Sequence, residues 1–233
     1  MMADDNGGSK MNIKRILTVI VVLLVVVGGG IGYTYQSERT PEHAMAELMN
    51  GLAAKDYNKV KQYADVDALI ENDYDESTQI LATDIAKLHE LYPKDWFFCH
   101  DTAFMQDYIA ARRGDDLVFI RRVLDFYMDD KAVPLSKVEG QAQWLSGEMV
   151  KFADNYTAKL TSVQKQGGTA QATVVITGKD TDYGRLVPQL TLKVELTQQA
   201  DGHWMATRIS NVSEAFYPVV KGIEDYWTLQ GWQ

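Results

Sequence analysis

QLTLKVELT, residues 189–197, decides the architecture of this chain. Leu190, Leu192, Val194 and Leu196 alternate with Thr191, Lys193, Glu195 and Thr197, a period of two that sets all four aliphatic side chains on one face of a strand. One face is expected to be buried and the other wet. The same rhythm runs through YTAKLTSVQ (156–164), TAQATVVIT (169–177) and HWMATRISN (203–211). The first two stretches are joined by Gln166-Gly167-Gly168, the next two by a longer loop through Asp182-Tyr183-Gly184, and the last two by Asp201-Gly202. Asp-Gly is a strong hairpin signal, because a tight primed turn needs positive φ that this pair supplies cheaply. The pattern predicts an antiparallel meander of four strands.

Upstream the hydrophobic period changes to 3.6. Thr40 is placed to cap a helix with Pro41 in its first turn, and Met45, Met49 and Leu52 recur at helical spacing. Asp56 is placed to cap a second, short helix whose Tyr57, Val60 and Tyr63 share a face, with a bend at 64–67. A long helix is expected from Ser77, with Leu81, Ile85, Leu88 and Tyr92 as its stripe and Pro93 as its stop. Asp95 would cap another helix over 96–113, ended by Gly114. Two more follow at 115–128, with Leu117, Ile120, Leu124 and Tyr127 on one side, and at 141–153. A helix from about Pro218 closes the chain, leaving Trp227 and Trp232 to pack back. Helices first and then a meander is the order of an α+β domain. A curved four-stranded sheet with helices packed on it, the NTF2-like (cystatin-like) cone with an enlarged helical middle, fits that order. Residues 41–155 form its helical part, and 156–233 its sheet and C-terminal helix.

Further out, residues 16–35 read ILTVIVVLLVVVGGGIGYTY, without one charge. At 1.5 Å per residue such a helix covers about 30 Å, the thickness of a bilayer's hydrocarbon layer. Lys10, Lys14 and Arg15 precede it, and Glu38, Arg39 and Glu42 follow. The positive-inside rule then predicts a cytoplasmic tail (1–15), a transmembrane helix (16–35) in contact with membrane lipid, a tether (36–40) and an extracytoplasmic domain. Tyr33 and Tyr35 fall where aromatic rings favour the water–lipid boundary. The competing reading is a cleaved signal peptide, but the apolar run exceeds the usual length of such a core, so an uncleaved anchor is expected. Gly28 and Gly32 form a GxxxG pair that would let two such helices approach as a homodimer.

Composition narrows the function classes. Hydrophobic residues make up 46% and charged residues 24%, the balance of a chain that buries a real core rather than a disordered one. The net charge is -9; the first 37 residues hold three bases and two acids, so the remainder carries about -10. Such a domain repels phosphate backbones, and its arginines are scattered apart from Arg112-Arg113 and Arg121-Arg122, so nucleic acid is not an expected partner. Cys99 is the only cysteine, which excludes an intramolecular disulfide; among Trp96, Phe97 and Phe98 it reads as a buried thiol.

TPEHAMAELMNGLAAKDYNKVKQYADVDAL (40–69), following an apolar span, resembles the opening of bacterial membrane-anchored proteins in the family called domain of unknown function 2939, with Asp56 and Val66-Asp67 as its acidic element. ADGHWMATRISNVSEAF (200–216) is similar to that family's closing hairpin at Asp201-Gly202, Trp204, Ile209 and Asn211. The resemblance implies a location in the bacterial cytoplasmic membrane and its envelope. It carries over no catalytic residue.

No motif in the chain commits it to catalysis. GxxxxGK[ST] and GxSxG are both absent. Of His43, His89, His100 and His203, only His100 adjoins Cys99, and neighbours on a helix point about 100° apart, a poor chelate or dyad. The acidic stretches at 71–77 and 129–131 lack the glycine and distal glutamate of an EF-hand, and read as solvated loops or caps. Asn155-Tyr156-Thr157 and Asn211-Val212-Ser213 match glycosylation acceptors, without meaning in a bacterial protein. No catalytic, cofactor-binding or metal-ligating residue is therefore assigned, and no cofactor is implied. The expected function is non-enzymatic binding of a protein or cell-wall partner. The alternative is a small-ligand-binding or isomerase-like NTF2-type domain, with Asp182, Tyr183 and Trp204 in or beside the expected sheet, although loop residues and a core tryptophan are the preferred reading of the three.

Overall fold

The computed structural model describes residues 39–231. The tail, the span at 16–35 with Gly28 and Gly32, most of the tether, and Trp232 lie outside the described residues. Among the described residues, no helix is long and apolar enough to cross a membrane.

Helix α1 (Pro41–Ala54) starts as its sequence dictates, with the Thr40 side chain accepting from the His43 N–H and Pro41 in the first turn. It buries Met45, Leu48, Met49 and Leu52 and ends where Lys55 turns left-handed. Asp56 then caps α2 (Tyr57–Tyr63), accepting from the Lys59 N–H at 3.1 Å.

Helix α3 (Val66–Thr83) begins eleven residues before the expected Ser77, capped by Asp65. The acidic stretch 71–77 is therefore helical, not a loop, and it buries Asp73, Tyr74 and Ser77. Asp84 breaks the helix, and α4 (Ile85–Leu91) follows at an angle that still buries Ile85 and Leu88. After Pro93 the chain makes a 3₁₀ turn, Trp96–Cys99, capped by Asp95.

Gly114 does not stop a helix. One helix of 27 residues, α5 (Thr102–Met128), runs through it from an Asp101 cap, merging the two expected ones. A Cβ at Gly114 would meet nothing within 4 Å, so the glycine sits on an open face and costs only about 1 kcal/mol of helix propensity, which the buried residues on either side outweigh. What ties α3 to α5 is a set of ion pairs: Arg121 to Asp67 (2.6 Å) and Glu71 (2.9 Å), and Arg113 to Asp75 (2.8 Å). Helix α6 (Lys137–Ala153) begins four residues earlier than expected, at a Ser136 cap whose Glu139 reaches back to the Leu135 N–H.

The strands are β1 (Tyr156–Gln166), β2 (Thr169–Gly178), β3 (Gln189–Gln198) and β4 (Trp204–Ile209), paired antiparallel in the order β1-β2-β3-β4. Ala172 sits opposite Val194, Val174 opposite Leu192 and Ile176 opposite Leu190, so the apolar positions share one buried face. Two irregularities preserve that face. Between Leu160 and Ser162 the extra residue Thr161 shifts parity, so Val163 turns back toward the core. Opposite Glu195/Leu196, the extra Thr207 lets Ile209 turn inward and Arg208 outward to Glu76. Gly167 and Gly202 take the positive φ that the two short turns require.

Helix α7 (Val212–Leu229) starts six residues before Pro218, which lies on its exposed side. It packs on β3 and α3 and buries Phe216, Val219, Ile223 and Trp227. One contiguous core joins helices and sheet, with Trp204, Tyr74, Phe216 and Met45 among its most enclosed side chains. The described residues thus form an α+β domain of seven α-helices and a four-stranded antiparallel sheet.

Candidate functional site

Asp182, Tyr183 and Trp204 do not come together. Asp182 is exposed and pairs with Arg185 at 3.0 Å. Tyr183 packs against Tyr226, and its hydroxyl accepts from Gln230 at 2.7 Å. Trp204 is buried on the inner face of β4. Apart from Asp73, the acidic stretches are engaged by neighbouring groups. Glu71 and Asp75 serve Arg121 and Arg113, Asp129 accepts from the Lys131 N–H, and Asp130 meets Lys55 at 3.4 Å. No group of three or more His, Cys, Asp and Glu arranged to hold a metal occurs among the described residues.

Two concavities adjoin at the junction of α2 and α3. An apolar pocket of about 40 Å³ is lined by Met45, Leu48, Leu52, Leu69, Leu124 and Ile209. It holds no carboxylate, and it is far below the few hundred Å³ that small-molecule sites occupy. Ala64 and Val66 separate it from an open groove of about 450 Å³, lined by Tyr57, Lys61, Asp65, Asp67, Arg121 and Asp125. The charges there are largely spent on one another: Arg121 pairs with Asp67, and the Lys61 ammonium lies over the Tyr57 ring at 4.5 Å.

Carboxyl groups inside the helical layer are structural. Tyr74 donates to Asp116 Oδ2 at 3.0 Å while Arg112 holds Oδ1, joining α3 to α5. Tyr226 donates to Glu148 at 2.6 Å, joining α7 to α6, and Tyr217 donates to Asp84 at 2.6 Å. Burial pushes all three phenols well above the usual tyrosine range, so they act as fixed donors. Asp73 differs. It is 1% exposed, its Oδ2 has no hydrogen-bond partner, and Ser77 reaches Oδ1 only at 3.5 Å. Burial raises its carboxyl well above the ordinary value.

One surface feature is an aromatic row that rests on the core at its Tyr108 end, where Tyr108 meets buried Phe97 at 5.8 Å. Trp96, His100, Phe104 and Tyr108 lie four residues apart, and their rings form a chain across the junction of the 3₁₀ turn and α5. Trp96 meets His100 edge-on at 4.8 Å, His100 stacks on Phe104 at 3.9 Å, and Phe104 stacks on Tyr108 at 5.9 Å. Trp96 remains 52% and Phe104 42% exposed, and Leu91, at the end of neighbouring α4, is 53% exposed. Large apolar rings held in fixed orientation at the surface are what protein interfaces use as anchors. The i+4 spacing was legible in the sequence, but the expected helix from 96 and the reading of Cys99 as a buried thiol beside Trp96 concealed the exposure.

Cys99 corrects the reading of a buried thiol. It is exposed beside this aromatic row, and Sγ lies 3.7 Å from Nδ1 of His89 on α4. His100, its neighbour in sequence, turns away to stack on Phe104. No sequence spacing announces the Cys99–His89 pair, because the reversal at Pro93-Lys94 creates it.

No family model matches this chain, and no curated protein or solved structure is significantly similar to it.

Proposed function

We propose that this chain is a single-pass protein of the bacterial cytoplasmic membrane, N-terminus inside, whose extracytoplasmic domain binds a protein or cell-wall partner without catalysis. The apolar, uncharged run at 16–35 and its flanking charges support the location. The resemblance at 40–69 and 200–216 supports membership of the domain of unknown function 2939 family, and the Gly28/Gly32 pair supports a homodimer of the span. The observation that carries the binding role is the exposed aromatic row Trp96–His100–Phe104, the one face of the described residues that presents large rings to solvent in series.

The experiment is photo-cross-linking in intact cells from residue 96 or 104, with residue 157 on exposed β1 as control. Partner adducts from 96 and 104 alone, those from 96 reduced by Phe104→Ala and those from 104 reduced by Trp96→Ala, support the role. Equal adducts from all three positions, or none, defeat it. Protease added to spheroplasts tests the location separately: a domain degraded only after lysis is not outside.

The alternative, a small-ligand-binding or isomerase-like NTF2-type domain, draws on the open groove beside Tyr57 and Arg121, which has the volume of a ligand site. Its weakness is chemical, since the apolar pocket beneath offers no acid or base.

A further inference from the structure

The Cys99 thiol and the His89 imidazole approach each other from two elements that the turn after Tyr92 folds together, and both are exposed. Sγ has a second contact, at 3.6 Å, with the Asp95 carbonyl oxygen, to which the thiol can donate its single proton. In the tautomer that carries its proton on Nε2, the Nδ1 lone pair then faces the sulfur lone pairs across the space between them.

Their separation is a chelate bite. A cation at ordinary bond lengths, about 2.3 Å from sulfur and about 2.0 Å from nitrogen, subtends about 115–120° when the donors stand 3.7 Å apart. This lies between the tetrahedral and trigonal angles, so the separation matches one ion bound to both donors. The donor types select the ion. Thiolate and imidazole favour soft and borderline d¹⁰ cations, Cu(I) and Zn(II), over calcium or magnesium, which want oxygen. Among the described residues no third His, Cys, Asp or Glu completes the set, so the remaining positions belong to solvent or to a bound partner's donors.

We propose that Cys99 and His89 form a two-donor site for a d¹⁰ metal ion, Cu(I) or Zn(II), at the edge of the aromatic row. Binding releases one proton: the thiol loses H⁺ as the metal–sulfur bond forms, and the unprotonated Nδ1 gives its lone pair unchanged. No oxidation state changes. The site goes beyond the partner-binding role and stands without it.

The test uses the full-length chain in detergent, reduced with a phosphine, and titrated anaerobically with Zn²⁺ and with Cu⁺ against chromophoric competitors. One equivalent of either ion per chain is expected. Cys99→Ser and His89→Gln should each weaken binding about tenfold or more, as loss of a direct donor should exceed the loss of an outer-shell one. His203→Gln, on the β3–β4 turn, should leave it unchanged. Saturating metal should also slow alkylation of Cys99 in the native chain and fail to do so in His89→Gln, a readout that does not depend on comparing variant stabilities. Absence of binding by both ions overturns the site. So does binding indifferent to His89→Gln, which would mean a lone surface thiol, or a thiol alkylated at the same rate with and without metal.

Discussion

The Tyr74 hydroxyl on α3 donates to Asp116 Oδ2 on α5 at 3.0 Å, in a setting where both side chains are buried. Burial lifts the Asp116 carboxyl, while Arg112 and this hydrogen bond pull it back down. The bond also links the layers at a point where the surface ion pairs of Arg113 and Arg121 are exposed to screening. Tyr74→Phe removes the donor and leaves a buried carboxylate oxygen short of a partner. A loss of about 1.5–3 kcal/mol is expected, the range for hydrogen bonds to charged groups, read as a lower urea midpoint at unchanged slope. A change below about 0.5 kcal/mol, the scale of an ordinary surface substitution, would mean that the hydroxyl does not join the helices.

Asp73 gives a pH dependence of definite sign. Its folded pKa is raised by burial above the unfolded value of about 3.9. Its stabilising contribution is therefore complete below that unfolded value and is lost as pH rises through the folded one. Each unit of upward shift corresponds to about 1.4 kcal/mol. Asp73→Asn removes the titration, so its stability relative to the native chain should increase from pH 4 upward. Exposed carboxylates with lowered values, such as Asp201, act in the opposite direction, which is why the difference between two chains is measured and not one curve. A flat difference across pH 4–8 would contradict the burial of this acid.

Two glycines on helices should respond oppositely to alanine. At Gly114 an added Cβ finds nothing within 4 Å, so Gly114→Ala should stabilise α5 by about 1 kcal/mol through helix propensity alone. At Gly222 on α7 the same atom would fall 2.4 Å from Val187 Cγ2. Val187 is itself buried and branched, so the helix or the β2–β3 loop must move, at a cost of about 1–3 kcal/mol. Thermal denaturation of the two variants should move in opposite directions.

The contrast between strands and helices explains how much was legible beforehand. The alternation in 189–197 specifies local geometry, and the caps at Thr40 and Asp56 are local too, so these stand as read. Asp201-Gly202 does mark the hairpin, but only Gly202 takes positive φ and its N–H closes the turn on the Gln199 carbonyl, so the turn is not the primed one expected. The start of α3 was missed because Glu71, Asp73 and Asp75 look like solvated polar residues. Glu71 and Asp75 pair instead with Arg121 and Arg113, thirty-eight or more positions away in the chain, and Asp73 is buried. The bulges at Thr161 and Thr207 are set by the neighbouring strand rather than by their own residue types. In the candidate site, the aromatic row had a visible spacing, whereas the Cys99–His89 pair exists only after the chain reverses.

Asn211 carries the last prediction. Its side chain does not cap α7; it turns back to β3, accepting from the Lys193 N–H at 2.8 Å and donating to the Thr191 carbonyl at 2.9 Å. The amide thus continues the β3 ladder past the end of β4, and a sugar on this nitrogen would displace it. Asn211→Ala leaves a backbone donor and a backbone acceptor without partners at a buried position, and should cost about 2–4 kcal/mol. Asn211→Asp keeps the acceptor for Lys193 but, when ionised, has no proton for Thr191 and faces Glu214. Protonating that aspartate restores the donor, so Asn211→Asp should regain stability relative to Asn211→Ala as pH falls below 5. If the two variants stay parallel through that range, the side chain is not acting as a surrogate strand.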